Sequence, residues 1–141
     1  MHQALADEGA VPRFVGIKLG QAQSVRGDPI EVEISMETAP SAVWDALIVP
    51  HGETHAETLA ANGHALEFLK DQYRHCKPIL VMGAAAGLLD KAGIPQALPS
   101  GEPDTGLLRF GGEETGTALP AFIDALAKHR HFARETDPPV V

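Results

Sequence analysis

A single cysteine, Cys76, leaves the chain without two common devices. An internal disulfide needs two thiols, and a thiolate metal cage draws several of its ligands from Cys. Aromatic residues are scarce as well: five Phe, one Trp and one Tyr cannot lay out a platform on which bases stack. Positive charge is in deficit. Eleven Lys and Arg against nineteen Asp and Glu leave a formal charge of -8, which offers no electrostatic hold on nucleic acid or anionic lipid. No apolar run nears the ~18 residues that span a bilayer. The opening Met1 to Glu8 carries neither the basic nor the apolar region of an export signal. Nucleic acid and membrane therefore fall away as partners, and the expected location is cytoplasmic. What is present is ordinary for a globular protein: 44% hydrophobic and 21% charged residues, in 141 residues that suffice for one domain over 1–141 and not for two.

Along the chain, Gln3 to Gly9 reads as the last turns of a helix, so the sequence begins in mid-element. Phe14 to Leu19 reads as a strand ended by Gly20. Ala22 to Val25 and the alternating Ile30 to Ile34, joined by the turn Arg26-Gly27-Asp28-Pro29, predict a β-hairpin with one wet face. The apolar runs Ala46 to Val49 and Pro78 to Met82 suit strands covered on both faces, and Leu107 to Phe110 is a further strand. Helical patterns cover Glu53 to Ala61, His64 to His75, Ala84 to Ala92 and Ala118 to His131, the last with Pro120 in its first turn. Strands alternating with helices predict an α/β fold: a doubly wound parallel sheet with helices on both faces.

In such a sheet, ligands gather beyond the carboxyl ends of the strands, here just after Val49, Met82 and Phe110. A sharp turn from strand to helix is where α/β hydrolases raise a nucleophile, yet the turn after Met82 offers only Gly83 and Ala84. Cys76 lies at a helix end before Pro78, at the opposite edge, where the negative end of the helix dipole disfavours a thiolate. His51 and His55 flank Glu53 in the order H-x-E-x-H, a pair that could share a metal ion but has no third ligand at a telling spacing. Thr54 and Glu57 account for the same stretch as a capping box. Glu113 sits in the run Gly111 to Thr117, which has the glycine spacing of a phosphate loop without its lysine. The basic run His129 to Arg134 is explained by the dipole of the helix it closes. The catalytic candidates are thus Cys76, His51, Glu53 and Glu113, the metal candidates His51 and His55, and each has an ordinary structural explanation.

Four segments together carry a resemblance: Thr38-Ala39-Pro40-Ser41 to Pro50, Tyr73-Arg74-His75-Cys76-Lys77-Pro78-Ile79, Gly83 to Leu89, and His129-Arg130-His131-Phe132-Ala133-Arg134. In this order, over a stretch from Leu5 to Arg134, they resemble the C-terminal domain of large-subunit haem catalases. The resemblance implies a flavodoxin-like three-layer αβα fold with a mostly parallel sheet and a β-hairpin insertion, related to class I glutamine amidotransferases and the DJ-1/PfpI group. Where DJ-1/PfpI enzymes hold a Cys-His pair, this sequence has Gly83 and Ala84, so the resemblance implies no catalytic group there. It also implies that the family's first strand is missing, so that either the chain is an N-terminally truncated fragment of a longer protein, or a partner or a rearranged pairing supplies what is missing. The sheet would then expose strand edges or close by pairing Phe14 to Leu19 with Ala46 to Val49.

Haem catalases bind iron through Tyr and activate peroxide with His and Asn, whereas the lone tyrosine and asparagine here, Tyr73 and Asn62, lie in a helical stretch. No cofactor is therefore expected in this chain, and haem belongs to a separate catalase domain. The function implied is that of a non-catalytic accessory domain, chaperone-like in part, whose partners are the haem domain or identical subunits of a homo-oligomer. The alternative is a DJ-1/PfpI-type hydrolase or stress-response protein with an atypical site. A flavin-binding flavodoxin would need a hydroxyl-rich phosphate loop that the sequence does not contain.

Overall fold

The apolar runs around Ile48, Leu80 and Leu108 lie side by side. In the computed structural model, which describes residues 1–24 and 26–135, β5 (Leu47–Val49), β6 (Ile79–Met82) and β7 (Leu107–Phe110) form one parallel sheet in that order. Leu47 pairs with Ile79, and Ile79 with Leu107. All four residues of central β6 are buried, and alternate side chains leave opposite faces of a strand. Ile79 and Val81 enter one core with Leu69 and Tyr73 of α3 (Gly63–Arg74) and Leu88 and Leu89 of α4 (Gly87–Lys91), with Leu59 and Ala60 of α2 (Glu53–Ala60) at its border. Leu80 and Met82 enter the other with Leu5 of α1 (His2–Asp7) and Ala118 and Phe122 of α5 (Thr115–Ala127). The result is the expected layering of helices on both faces of a mostly parallel sheet.

Several local expectations are corrected. β5 is not covered on both faces: it is an edge strand, with Leu47 and Ile48 only half-buried. Phe14 to Leu19 yields only β1 (Val15–Gly16), and it does not pair with β5. Its parallel partner is β4 (Ile34–Ser35), split off from the end of the expected hairpin. Gly20 starts a strand rather than ending one: β2 (Gly20–Gln23) runs antiparallel to β3 (Pro29–Val32), with Gln23 opposite Pro29. Val25, expected at the hairpin's end, lies outside the described residues. The hairpin folds back over β1, where Val32 Cγ1 comes within 2.8 Å of the place a Cβ on Gly16 would take. With β1 committed to β4, no strand among the described residues pairs with the free edge of β5.

The helices shift by a few residues. α3 begins at Gly63 because Asn62 caps it, accepting from the Ala65 N–H at 3.0 Å. The small-residue helix after β6 is a 3-10 turn, Gly83–Ala86, before α4 starts. α5 starts at Thr115, so Pro120 falls inside the helix and not in its first turn. α5 also ends at Ala127, short of His131. Among the described residues, no helix is long and apolar enough to cross a membrane.

Candidate functional site

At the carboxyl edge of the sheet, the chain leaves β5 through Pro50 to His51, β6 into Gly83 and Ala84, and β7 into Gly111 and Gly112. The imidazole of His51 fills the space among these loops. Its Nδ1 accepts the Ala84 N–H at 3.3 Å. A Cβ on Gly83 would overlap that same Nδ1, and one on Gly112 would stand 2.7 Å from the ring's Cγ. Gly83 has φ of +52°, in the left-handed region that glycine enters without steric penalty. The sharp corner therefore remains, with a ring from a neighbouring loop occupying the place of a side chain at 83. Acceptance at Nδ1 puts the neutral ring's proton on Nε2.

The other candidates do not join His51. Glu53 is exposed at the first position of α2, Glu113 is exposed before α5, and the ring of His55 lies over Gly52. Among the described residues, no three His, Cys, Asp or Glu side chains group as a metal site requires. The expected capping box is not formed. α2 begins at Glu53 with Gly52 at its cap and no side-chain cap bond, and Thr54, already helical, gives its carbonyl to the Thr58 hydroxyl at 2.8 Å. In the glycine run, the Glu114 carboxylate turns back onto the Gly111 N–H, putting negative charge where a phosphate loop would offer bare amides to an anion.

At the amino edge of the sheet, Cys76 is 3% exposed and adopts φ of 57° just past α3. Burial pushes its thiol pKa up, and the Arg134 guanidinium opposes that only in part. Around it lies a polar cluster that sequence reasoning missed. Arg134 is 2% exposed. It donates from Nε to Asp104 Oδ2 at 2.5 Å, from Nη2 to Oδ1 at 3.1 Å and from Nη1 to the Lys77 carbonyl at 2.6 Å. Its guanidinium carbon stands 4.7 Å from the centre of the Tyr73 ring. His131 donates from Nε2 to the Ala125 carbonyl at 3.1 Å and accepts at Nδ1 from the Thr105 hydroxyl at 3.1 Å. Burial lowers its pKa, and the Ala125 bond works against that shift.

The dipole account of the basic run is thus corrected, since Arg134 is locked to Asp104 well beyond the end of α5. Asp104 also accepts the Gly106 N–H at 2.8 Å, and the turn signature Pro103-Asp104-Thr105-Gly106 was the one available signal for it. Beside this cluster, the buried Lys77 ammonium donates to the Ala42 and Trp44 carbonyls. Gln72 donates to the Ser41 carbonyl at 2.5 Å, and Ser41 to that of Phe68 at 2.7 Å. These bonds tie one chain segment to another. A Cβ on Gly106 would come 2.6 Å from Arg134 Nη2, so the cluster is packed shut and works as a clamp.

The two edges of the sheet thus hold a corner occupied by the His51 ring and a buried clamp around Arg134. The family described as the C-terminal domain found in long catalases matches residues 1–136. The chain belongs to that family. It is 37% identical over 120 residues to Catalase HPII of Mycobacterium avium, a match covering 79% of this chain and 17% of that protein. It is 28% identical over 135 residues to Catalase HPII of Pseudomonas aeruginosa, covering 96% and 18%. Catalase-1 of Neurospora crassa is 27% identical over 155 residues, covering 96% and 21%. The chain thus spans about a fifth of the length of these catalases. Among solved structures, a ThiJ/PfpI domain protein from Brachyspira murdochii superimposes with a TM-score of 0.77 at 13% identity, over 90% of this chain and 86% of that one. That likeness shows the flavodoxin-like fold expected from the resemblance. Haem does not fit the residues of this catalase domain: Tyr73 is 1% exposed beneath Arg134, and Asn62 caps α3.

Proposed function

We propose that this catalase C-terminal domain is a non-catalytic accessory. It buries surface against the remainder of a long-catalase chain and against identical subunits, stabilising their assembly. Dismutation of hydrogen peroxide then resides with haem in a separate domain, in a cytoplasmic enzyme, and chaperone-like behaviour is part of the same reading. One observation carries it: the ring of His51 occupies the corner where a residue at 83 would have to present an attacking group. The buried amino-edge cluster supports it too, because its charged groups are engaged with each other and with backbone carbonyls.

The test has two arms. The 141-residue chain is assayed against peptide, ester and glyoxalase-type substrates, with no turnover expected. The intact long catalase carrying this domain is compared with the same protein shortened by it; shortening should lower the temperature at which the assembly inactivates, with haem turnover per subunit retained in the cold. Turnover by the isolated chain that disappears in His51→Ala would overturn the proposal in favour of a DJ-1/PfpI-type hydrolase with an atypical site.

A further inference from the structure

Residues 11–40 stand apart from both cores. They hold four strands in two separate two-stranded sheets, yet Ser35 is the one buried residue among those described. Neither hydrophobic cluster includes any of them. A two-stranded hairpin is marginally stable at best by itself in water. Here β2 is exposed along its whole length, and β3 alternates between exposed and half-buried positions. Regular structure with so little burial needs a cover.

Large apolar side chains crowd the same region: Val11 is 74% exposed, Phe14 40% and Leu19 60%. Phe14 and Leu19 border two shallow grooves of about 350 and 360 Å³ that share Glu31 and Glu33, one lined by Pro12, Phe14 and Ile30, the other by Leu19 and Val32, and Val11 stands next to Pro12 in the chain. Phe14 stacks on His2 with ring centres 4.8 Å apart, so the patch continues onto α1. Arg13 pairs with Glu33 at 3.1 Å, whereas Glu31 has no ion pair among the described residues. An apolar surface with an exposed carboxylate, without an ion pair among the described residues, in its lining fits a partner that carries apolar side chains and one cation, because a carboxylate desolvated without a counter-charge opposes association. The match to this chain covers only 17 to 21% of the catalases compared above, so most of such a polypeptide is available to supply the cover.

Resting on the accessory reading, we propose that the face formed by residues 11–24 and 26–33 is where this domain docks onto the remainder of the long-catalase polypeptide. The partner brings apolar side chains to Val11, Phe14 and Leu19, and a lysine or arginine to Glu31. In the intact long catalase carrying the domain, amides of 11–33 should exchange about tenfold or more slowly than in the 141-residue chain alone. The double substitution Val11→Asp with Leu19→Asp, and separately Glu31→Lys, should lower the inactivation temperature of the intact protein by several degrees and leave the melt of the isolated chain unchanged. Val43→Asp, at a residue 67% exposed outside the patch, should alter neither.

Equal exchange in the two contexts overturns the docking face, as does an equal loss with Val43→Asp. If a patch variant also melts early as the isolated chain, the exchange comparison on unsubstituted protein decides alone. If removal of the domain destabilises the catalase but the patch variants do not, the accessory role stands and this face is wrong. If removal has no effect, both fall together.

Discussion

Arg134 meets two carboxylate oxygens, one carbonyl and one aromatic face, all out of contact with water. Removing one partner of a buried ion pair strands the other charge, at a cost of roughly 3–5 kcal/mol. Arg134→Ala and Asp104→Ala should each lose about that much in urea unfolding, and Arg134→Lys should regain little, since an ammonium cannot reproduce the planar fork. His131 supplies a pH signature. Its pKa is held down by burial, so the unfolded chain binds a proton that the fold resists. Stability from this group is therefore complete above the ordinary histidine value of about 6.5 and is lost as pH falls toward the folded one. Urea midpoints should drop over that window, and His131→Gln should flatten the drop. Gly83→Cys should destabilise by roughly 1–3 kcal/mol through crowding of His51 and a strained φ, with partial recovery when His51→Ala is added and with no hydrolase activity gained. That glycine stands at position 83 was legible in the sequence, because it is residue identity alone. The clamp was not, since Arg134 finds its carbonyl partner 57 residues away and no local pattern encodes that distance.

At the scale of elements, α5 shows a preference overridden by packing. The sequence places Pro120 in a first turn, where its missing N–H is harmless. The helix instead extends back to Thr115, and Ala118 reaches full burial against Leu80 and Met82. Pro120 then leaves the Gly116 carbonyl without its intrahelical donor. Pro120 is exposed, so Pro120→Ala should raise stability by about 1 kcal/mol or more, up to the ~3 kcal/mol by which the two residues differ inside a helix; a thermal or urea melt measures it. β6 was legible because its continuous apolar run is bounded by turns, and β7 less so because Arg109 interrupts its run. β1 was not, because a strand's partner is chosen by what lies beside it after folding. Val15 and Gly16 found Ile34 and Ser35, a pairing that strand propensity cannot express.

For the whole molecule, burial is uneven, and stability should follow it. Ile79, Leu80 and Val81 are 0% exposed, whereas among the described residues of 11–40 only Ser35 is buried. Hydrogen exchange of the isolated chain should therefore show β6 amides opening only with global unfolding and those of 11–33 opening locally and far faster. Uniform protection along the chain would contradict that division.

The sequence by itself determined the layered α/β plan, the glycine–alanine corner after β6 and the family to which the chain belongs, because these follow from periodicity and from residue identity in order. Only the tertiary structure decided that His51 fills that corner, that Arg134 locks onto Asp104, and that β1 pairs with β4 and not with β5. Each of these depends on which distant segments come into contact, and the free energy of such a contact is set by burial and geometry that exist only once the chain is folded.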